Sequence, residues 1–328
     1  ANTGVVCGAA VRATVTISFV GLKQGLFSGL GPSYCGDIEF DDLGIPSRIY
    51  DGQAPAARLT SSEEWTHLLT RRERHAHKGH FGHVLVVGSD VGYTGAARLA
   101  AEAAARCGAG LITIATREAH AHTISGERAE LMGRGVENAT ALGSLLDRVS
   151  VVAIGPGLGQ GQWGYEMLEA VLNCKLPLVM DADALNLLSR APLQRDNWVL
   201  TPHPGEAARL LGTTTSEIEA DRFEAVAALS RRYGGSVALK GAGSLVSAHR
   251  ELTRVCMAGN PGMGSGGMGD VLTGVIAALM AQHLEPFDAT CLGVCLHAEA
   301  ADLAANQGER GLLARDLMPL LRELVNPK

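Results

Sequence analysis

The chain of 328 residues has no apolar run long enough to cross a bilayer. Its longest, such as residues 270–281, stop well short of the roughly 20 residues a spanning helix needs and contain small or polar residues, so no membrane association is expected. It also has no excess of positive charge: 28 Lys and Arg stand against 34 Asp and Glu, a net charge of −6. The basic face that nucleic acid requires is therefore not suggested, and no nucleic-acid partner is expected. The seven cysteines are odd in number, scattered, and never form a CxxC pair, which favours reduced thiols in the cytoplasm over a disulfide frame or structural zinc. Cys291 and Cys295 lie one helical turn apart, and buried packing is the better reading of them than metal binding. The start, ANTGVVCGAAVRATV, has neither an initiator Met nor a charged-then-apolar leader, so it reads as the interior of a longer, truncated chain. What the chain has in plenty is glycine. There are 41 in 328 residues, well above the usual proportion of about 7%, and they cluster where apolar runs end.

Residues 1 to about 50 hold two β-like runs, 13–22 and 36–40, too short to form a domain alone. Residues 51–78 turn abruptly to Pro, Ser and charge, with a helix-start pattern at Ser61-Ser62-Glu63-Glu64, and mark a linker and boundary. From Gly79 onward a regular plan repeats: an apolar run, a glycine-rich turn, then an Ala- and Leu-rich helical stretch. GHVLVVGSD, GLITIAT, VSVVAIGPGLG, PLVMDADAL, NWVLTPHPGE and SVALKGAGS all follow it. Alternating strands and helices predict a mostly parallel sheet covered on both faces, with ligands at the carboxyl ends of its strands. The glycine-rich loops fall at that edge.

The strongest segment is GNPGMGSGGMGDVLT, residues 259–273. Its glycines let backbone amides turn inward, and a helix beginning at Asp270 adds the positive end of its dipole, making an anion cradle. An Asp there is also a preferred helix cap. Beside a polyphosphate site it could instead take the proton of a hydroxyl attacking phosphorus; the two roles are compatible. KGAGS, residues 240–244, places a lysine, two small turns and a hydroxyl at a strand end, without the spacing of a P-loop. In TPHPGE two prolines hold His203 in a rigid loop, where it is either surface decoration or a substrate contact, and Glu206 could hold water around Mg²⁺. Asp181 and Asp183 either cap the following helix or lean towards the same metal. GPGLG at 155–159 and GYTGA at 92–96 are close-approach loops or merely tight turns. Asp181 follows Gly159 by 22 residues, close to the spacing that a dinucleotide-binding reading of GPGLGQG needs. A dehydrogenase is nevertheless disfavoured, because the glycine loop that opens a helix lies near the carboxyl end of the chain rather than after the first strand.

Taken in order, GSDVGYTGAARLAAEAAARCGAGL, GPGLGQGQWG, DADALNLL, TPHPGEAARLLG, LKGAGS and NPGMGSGGMGDVLTGV resemble the nucleotide-dependent NAD(P)H-hydrate dehydratases of the ribokinase-like superfamily, over roughly residues 75–325. Residues 1 to about 45 resemble the last strands of an NAD(P)H-hydrate epimerase domain whose catalytic loop and potassium ligands would lie upstream, so epimerase activity is not expected of this stretch alone. The resemblance implies a three-layer α/β/α domain at 75–328, preceded by a Rossmann-like epimerase remnant at 1–50 and a linker at 51–74. It implies that Ala96, Gly159, His203 and Asp270 contact the hydrated dinucleotide. Lys240, Gly241, Ala242, Gly243, Ser244 and Gly269 would bind ADP, and Glu206 would be associated with Mg²⁺. The implied reaction returns hydrated NADH and NADPH to NADH and NADPH with ADP as co-substrate, in a cytoplasmic homo-oligomer, expected to be a tetramer. A kinase for a small alcohol, such as a vitamin precursor, would share the nucleotide loops and is the nearest alternative; a silent nucleotide-binding protein is another.

Overall fold

The computed structural model describes residues 1–124, 126 and 128–326. Each apolar run emerges as a strand with side chains alternating between two cores, as a sheet buried on both faces requires. In β4 (His83–Val87), Val84 and Val86 enter one core, while Leu85 and Val87 enter the other. The same division recurs in β7 (Val151–Ile154), where Val151 and Ala153 oppose Val152 and Ile154.

Ten strands form one sheet: these two with β3 (Ala57–Thr60), β5 (Leu111–Thr116), β6 (Met132–Gly135), β8 (Leu178–Met180), β9 (Trp198–Leu200), β10 (Ser236–Leu239), β11 (Ser244–Ala248) and β12 (Thr253–Cys256). Their order is β3-β12-β11-β10-β9-β8-β7-β4-β5-β6. Only β11 runs against its neighbours; the other pairs are parallel. One face is covered by the helices Thr94–Arg106, Met268–Ala281 and Pro286–Ala304, the other by Gln162–Leu172, Ala182–Leu188, Pro204–Leu211 and Arg222–Tyr233. The three-layer α/β/α architecture expected of residues 75 onward is present. Residues 327 and 328, the end of the expected domain, lie outside the described residues.

The amino-terminal runs form a separate two-stranded parallel sheet, β1 (Val15–Phe19) with β2 (Asp37–Asp41). The segment expected to be a linker, residues 51–74, is partly built into the main sheet. β3 pairs in parallel with β12, and the helix Ser62–Trp65 packs against the helix Pro286–Ala304, with Ser62 bonded through both its amide and its hydroxyl to Glu299. Edge strands need one burying neighbour and tolerate charge, so the polar sequence ARLT did not read as a strand. β6 (MGRG) escaped for the same reason. Among the described residues no helix is long and apolar enough to cross a membrane.

Candidate functional site

The chain passes from β4 out through β5 and β6, then returns to β7 on the other side of β4. The carboxyl ends of β4 and β7 therefore flank the topological switch point, where such sheets leave a crevice. The loops after these strands are laced together: Ser89 N donates to Pro156 O at 3.0 Å and Asp90 N to Gly157 O at 2.7 Å. Gly157 has φ +59°, and a Cβ there would press on Tyr93 and lie 3.2 Å from Ala96 Cβ. Gly159 N donates to Asp183 Oδ2 at 2.9 Å, and Gln160 Nε2 donates to Asp183 Oδ1 at 3.0 Å. Ala96 therefore lies against the same loop that carries Gly159, and Asp183, in the first turn of its helix, spends its carboxylate on that loop rather than on a cap. It holds the GPGLG loop.

Three successive strands on the other side of the switch point end in polar residues that meet: Asp181 after β8, Thr201 after β9 and Lys240 after β10. Lys240 Nζ lies 2.7 Å from Asp181 Oδ1, and Thr273 Oγ1 donates to Asp181 Oδ2 at 3.0 Å. Burial works to raise the Asp181 pKa, but the Lys240 charge and hydrogen bonds from Lys240, Thr201 and Thr273 reverse that and hold the carboxylate low. Burial likewise opposes the charge on Lys240, and Asp181, then Glu206 and Asp270, carry its pKa above the usual range. Asp181 occupies the N-cap position of the helix Ala182–Leu188 but makes no side-chain capping bond; it is only 1% exposed and engaged with Lys240 and Thr273, so it is not free for a ribose.

Glu206 and His203 form a capping box on the helix Pro204–Leu211. His203 N donates to Glu206 Oε2 at 2.8 Å, and Gly205 N donates to His203 Nδ1 at 3.0 Å. Burial, and after it the charge on Lys240, lower the His203 pKa, so the ring is a neutral acceptor whose Nε2 lies 3.4 Å from Glu206 Oε1. Burial pushes the Glu206 carboxyl up to about 7, with Lys240, 3.9 Å away, pulling the other way.

The 259–273 loop closes over this centre. Its helix begins at Met268, not at Asp270; Gly267, at φ +93°, is the N-cap, and Asp270 sits in the first turn. A left-handed cap favours glycine, so Asp270 is released from capping. Among the described residues the amides of residues 265–270 have no hydrogen-bond acceptor, the open array an anion site needs. A Cβ on Gly269 would lie 3.2 Å from both Asp181 Oδ2 and Lys240 Nζ, so this glycine brings the cradle onto the ion pair. Gly274 packs against the Ala100 carbonyl; one turn earlier on these two helices are Asp270 and Ala96, which joins the cradle to the switch-point crevice. Burial, then the charge of Asp181, push Asp270 up to about 7 against the pull of Lys240. A carboxyl poised near neutrality suits general-base work.

The KGAGS loop supplies a second amide array. Among the described residues the N–H groups of Gly241, Ala242 and Gly243 have no acceptor, and Ser244 Oγ donates back to Gly241 O at 3.1 Å.

Sequence reasoning missed Thr273 and His297. His297 is buried among apolar residues of the helix Pro286–Ala304. Burial and the nearby Lys240 lower its pKa to about 4, while a bond to the Met268 backbone opposes this; its Nε2 has no partner among the described residues. A lone histidine on an apolar helix was the available signal. No group of three or more His, Cys, Asp or Glu that could hold a metal occurs among the described residues. The donor set therefore suits Mg²⁺ only as a companion of nucleotide phosphates and water, with Glu206 as a nearby carboxylate. A cavity of about 1000 Å³ lies elsewhere, at the amino edge of β4 and β5, lined by Arg72, Phe81, Gly108 and Gln282 among others. It contains none of the expected site residues.

A family model described as NAD(P)H-hydrate dehydratase matches residues 84–322. The bifunctional NAD(P)H-hydrate repair enzyme of Coxiella burnetii is 50% identical over 99% of this chain and 67% of its own length. The chain spans about two thirds of such bifunctional relatives. The ADP-dependent (S)-NAD(P)H-hydrate dehydratase of Neisseria meningitidis is 36% identical over 84% of this chain and 95% of its own. Among solved structures, the ADP/ATP-dependent NAD(P)H-hydrate dehydratase of Bacillus subtilis, co-crystallised with ATP and Mg²⁺, superposes with a TM-score of 0.73 at 27% identity, covering 83% of this chain and 98% of that one.

Proposed function

This chain belongs to the NAD(P)H-hydrate dehydratase family, whose members share a ribokinase-like fold, and from that premise we propose that it restores (6S)-hydrated NADH and NADPH to the reduced cofactors. Its co-substrate in this reading is ADP, converted to AMP and phosphate. The observation that carries the reading is the position of Asp270, at the mouth of an unpaired amide array and beside Lys240, with a carboxyl poised at about 7.

The hydrated ring carries a hydroxyl at C6, and hydroxide leaves slowly at neutral pH. Asp270 accepts the C6 hydroxyl proton while the terminal phosphoryl of ADP passes to that oxygen. Amides of residues 265–270 and the Lys240 ammonium meet the phosphoryl charge as it develops. The C6–O bond then breaks, phosphate leaves with the electron pair, the ring nitrogen lone pair fills in behind it, and loss of a C5 proton restores the C5–C6 double bond. Ala96 and Gly159 border the crevice for the dinucleotide, with His203 at its rim; Lys240–Ser244 and Gly269 border the nucleotide. Mg²⁺, where present, would neutralise phosphate charge, with Glu206 approaching it through water. The seven free thiols suit a reducing, cytoplasmic setting.

The test is to incubate the chain with hydrated NADH and either ADP or ATP, following the returning absorbance of the reduced nicotinamide together with free phosphate. Equal yields of NADH and free phosphate support the reading. Phosphate retained on an organic product would instead point to a kinase for a small alcohol, and nucleotide binding without turnover to a silent binding protein.

A further inference from the structure

The carbonyl side of the KGAGS loop is occupied by two partners from outside the loop. Arg222, first residue of the helix Arg222–Tyr233 and 1% exposed, extends its guanidinium beneath Gly241. Nη2 donates to Leu239 O at 3.4 Å and Lys240 O at 3.2 Å, and Nε donates to Ser28 Oγ at 2.9 Å. Nη1 pairs with Glu219 Oε1 at 3.1 Å. The next carbonyl, Ala242 O, accepts from Gly29 N at 3.0 Å. The Phe27 carbonyl lies so close to Gly243, itself at φ +64°, that a Cβ there would collide with it.

The amino-terminal segment is anchored for this contact. Phe27 is 8% exposed and packs in the same apolar core as Leu239 and Val226, and Ser28 is wholly buried. Within a peptide unit the C=O of one residue and the N–H of the next point in opposite directions, so pinning the carbonyls of residues 240 and 242 inward turns the amides of Gly241 and Gly243 outward. Both are among the N–H groups left without acceptors. An array of aligned free amides makes an anion-binding concavity only while its backbone is held.

We propose that Phe27–Gly29, acting through Arg222, position the 240–244 loop for phosphate binding, so that the segment ahead of the catalytic domain sets the affinity for nucleotide. This rests on the functional reading above. Arg222 and Ser28 are positioning residues in it, since both lie beneath the loop and act through its backbone.

Isothermal titration of ADP into the full chain tests it, comparing the wild type with Ser28→Ala, Arg222→Lys and Arg222→Met. The expected result is an ADP Kd raised about 3-fold in Ser28→Ala and about 10-fold or more in Arg222→Met, with Arg222→Lys between them, as the loss of one or several hydrogen bonds to a charged group would give. At saturating ADP, kcat and its pH profile should match the wild type, and KM for hydrated NADH should stay unchanged. A purely structural role would lower all of these together. If Arg222→Met does not fold, Ser28→Ala decides. Wild-type ADP affinity in Ser28→Ala, and in whichever Arg222 variants fold, overturns the inference while leaving the functional reading intact. Absence of saturable ADP binding by the wild type would overturn both.

Discussion

The ammonium of Lys240 lies 2.7 Å from the carboxylate of Asp181, linking the ends of two strands that have a third between them in the sheet. The pair is the floor on which the glycine cradle rests: a Cβ on Gly269 would lie 3.2 Å from Asp181 Oδ2 and Lys240 Nζ, tighter than ordinary contact.

Replacing Asp270 by Asn keeps its size and removes its basicity. If it is the base, kcat falls at least about 100-fold, while ADP affinity changes little. Steady-state kinetics with parallel ADP titration checks this, and near-normal turnover removes Asp270 from the role. In the wild type, kcat should climb with pH through the region of about 7, as the carboxyl loses its proton.

The same substitution should stabilise the fold. An acid raised from 3.8 to about 7 by burial resists ionisation in the folded state, so it erodes stability as pH rises between those values and holds that cost above them. At pH 8, Asp270→Asn should melt a few degrees higher than the wild type, with the gap vanishing below pH 4. Calorimetry at the two pH values checks the sign.

Lys240→Met strands a buried carboxylate. Loss of one partner from a buried pair costs roughly 3–5 kcal/mol, so the denaturant midpoint should drop markedly at pH 7. The double variant Lys240→Met with Asp181→Leu should recover part of that loss while binding no ADP. A double variant no more stable than the single one would show that the pair is not coupled.

His297 is buried neutral, with its pKa lowered to about 4 from 6.5. The stability it permits is complete above 6.5 and is lost as pH falls through the window down to 4, on the order of 3 kcal/mol in all. His297→Gln cannot charge, so its stability at pH 4.5 relative to pH 7.5 should decline less than that of the wild type, as read by urea unfolding at each pH.

Gly269→Ala would bring a methyl group 3.2 Å from both Asp181 Oδ2 and Lys240 Nζ. Alanine is favoured over glycine within a helix, so folding should be nearly unaffected while ADP affinity falls about 10-fold or more. An unchanged Kd would mean that the nucleotide does not approach this edge of the cradle.

Much of the α/β plan was legible because it is local. The strands β4, β5 and β7–β10 each coincide with an apolar run ended by glycine or polar loop residues, and the helix at 94–106 with its alanines. β3 and β6 were not legible. They are edge strands, and little in ARLT or MGRG distinguishes them from a linker. Asp270 was recognisable as chemistry by its place after the glycines, yet its release from capping depended on Gly267 taking the left-handed position.

From residue order alone came the repeating strand-and-loop plan, the glycine loops at one edge of the sheet and the identity of the residues they carry, since runs of a few residues encode these by hydrophobic pattern and backbone freedom. Only the tertiary structure decided what those residues do to one another. Asp181 meets Lys240 across 59 residues and Thr273 across 92, and Arg222 reaches Ser28 across 194. Such meetings follow from strand order and helix packing, and the resulting burial gives Asp270 and Glu206 their raised pKa values, which no local propensity carries.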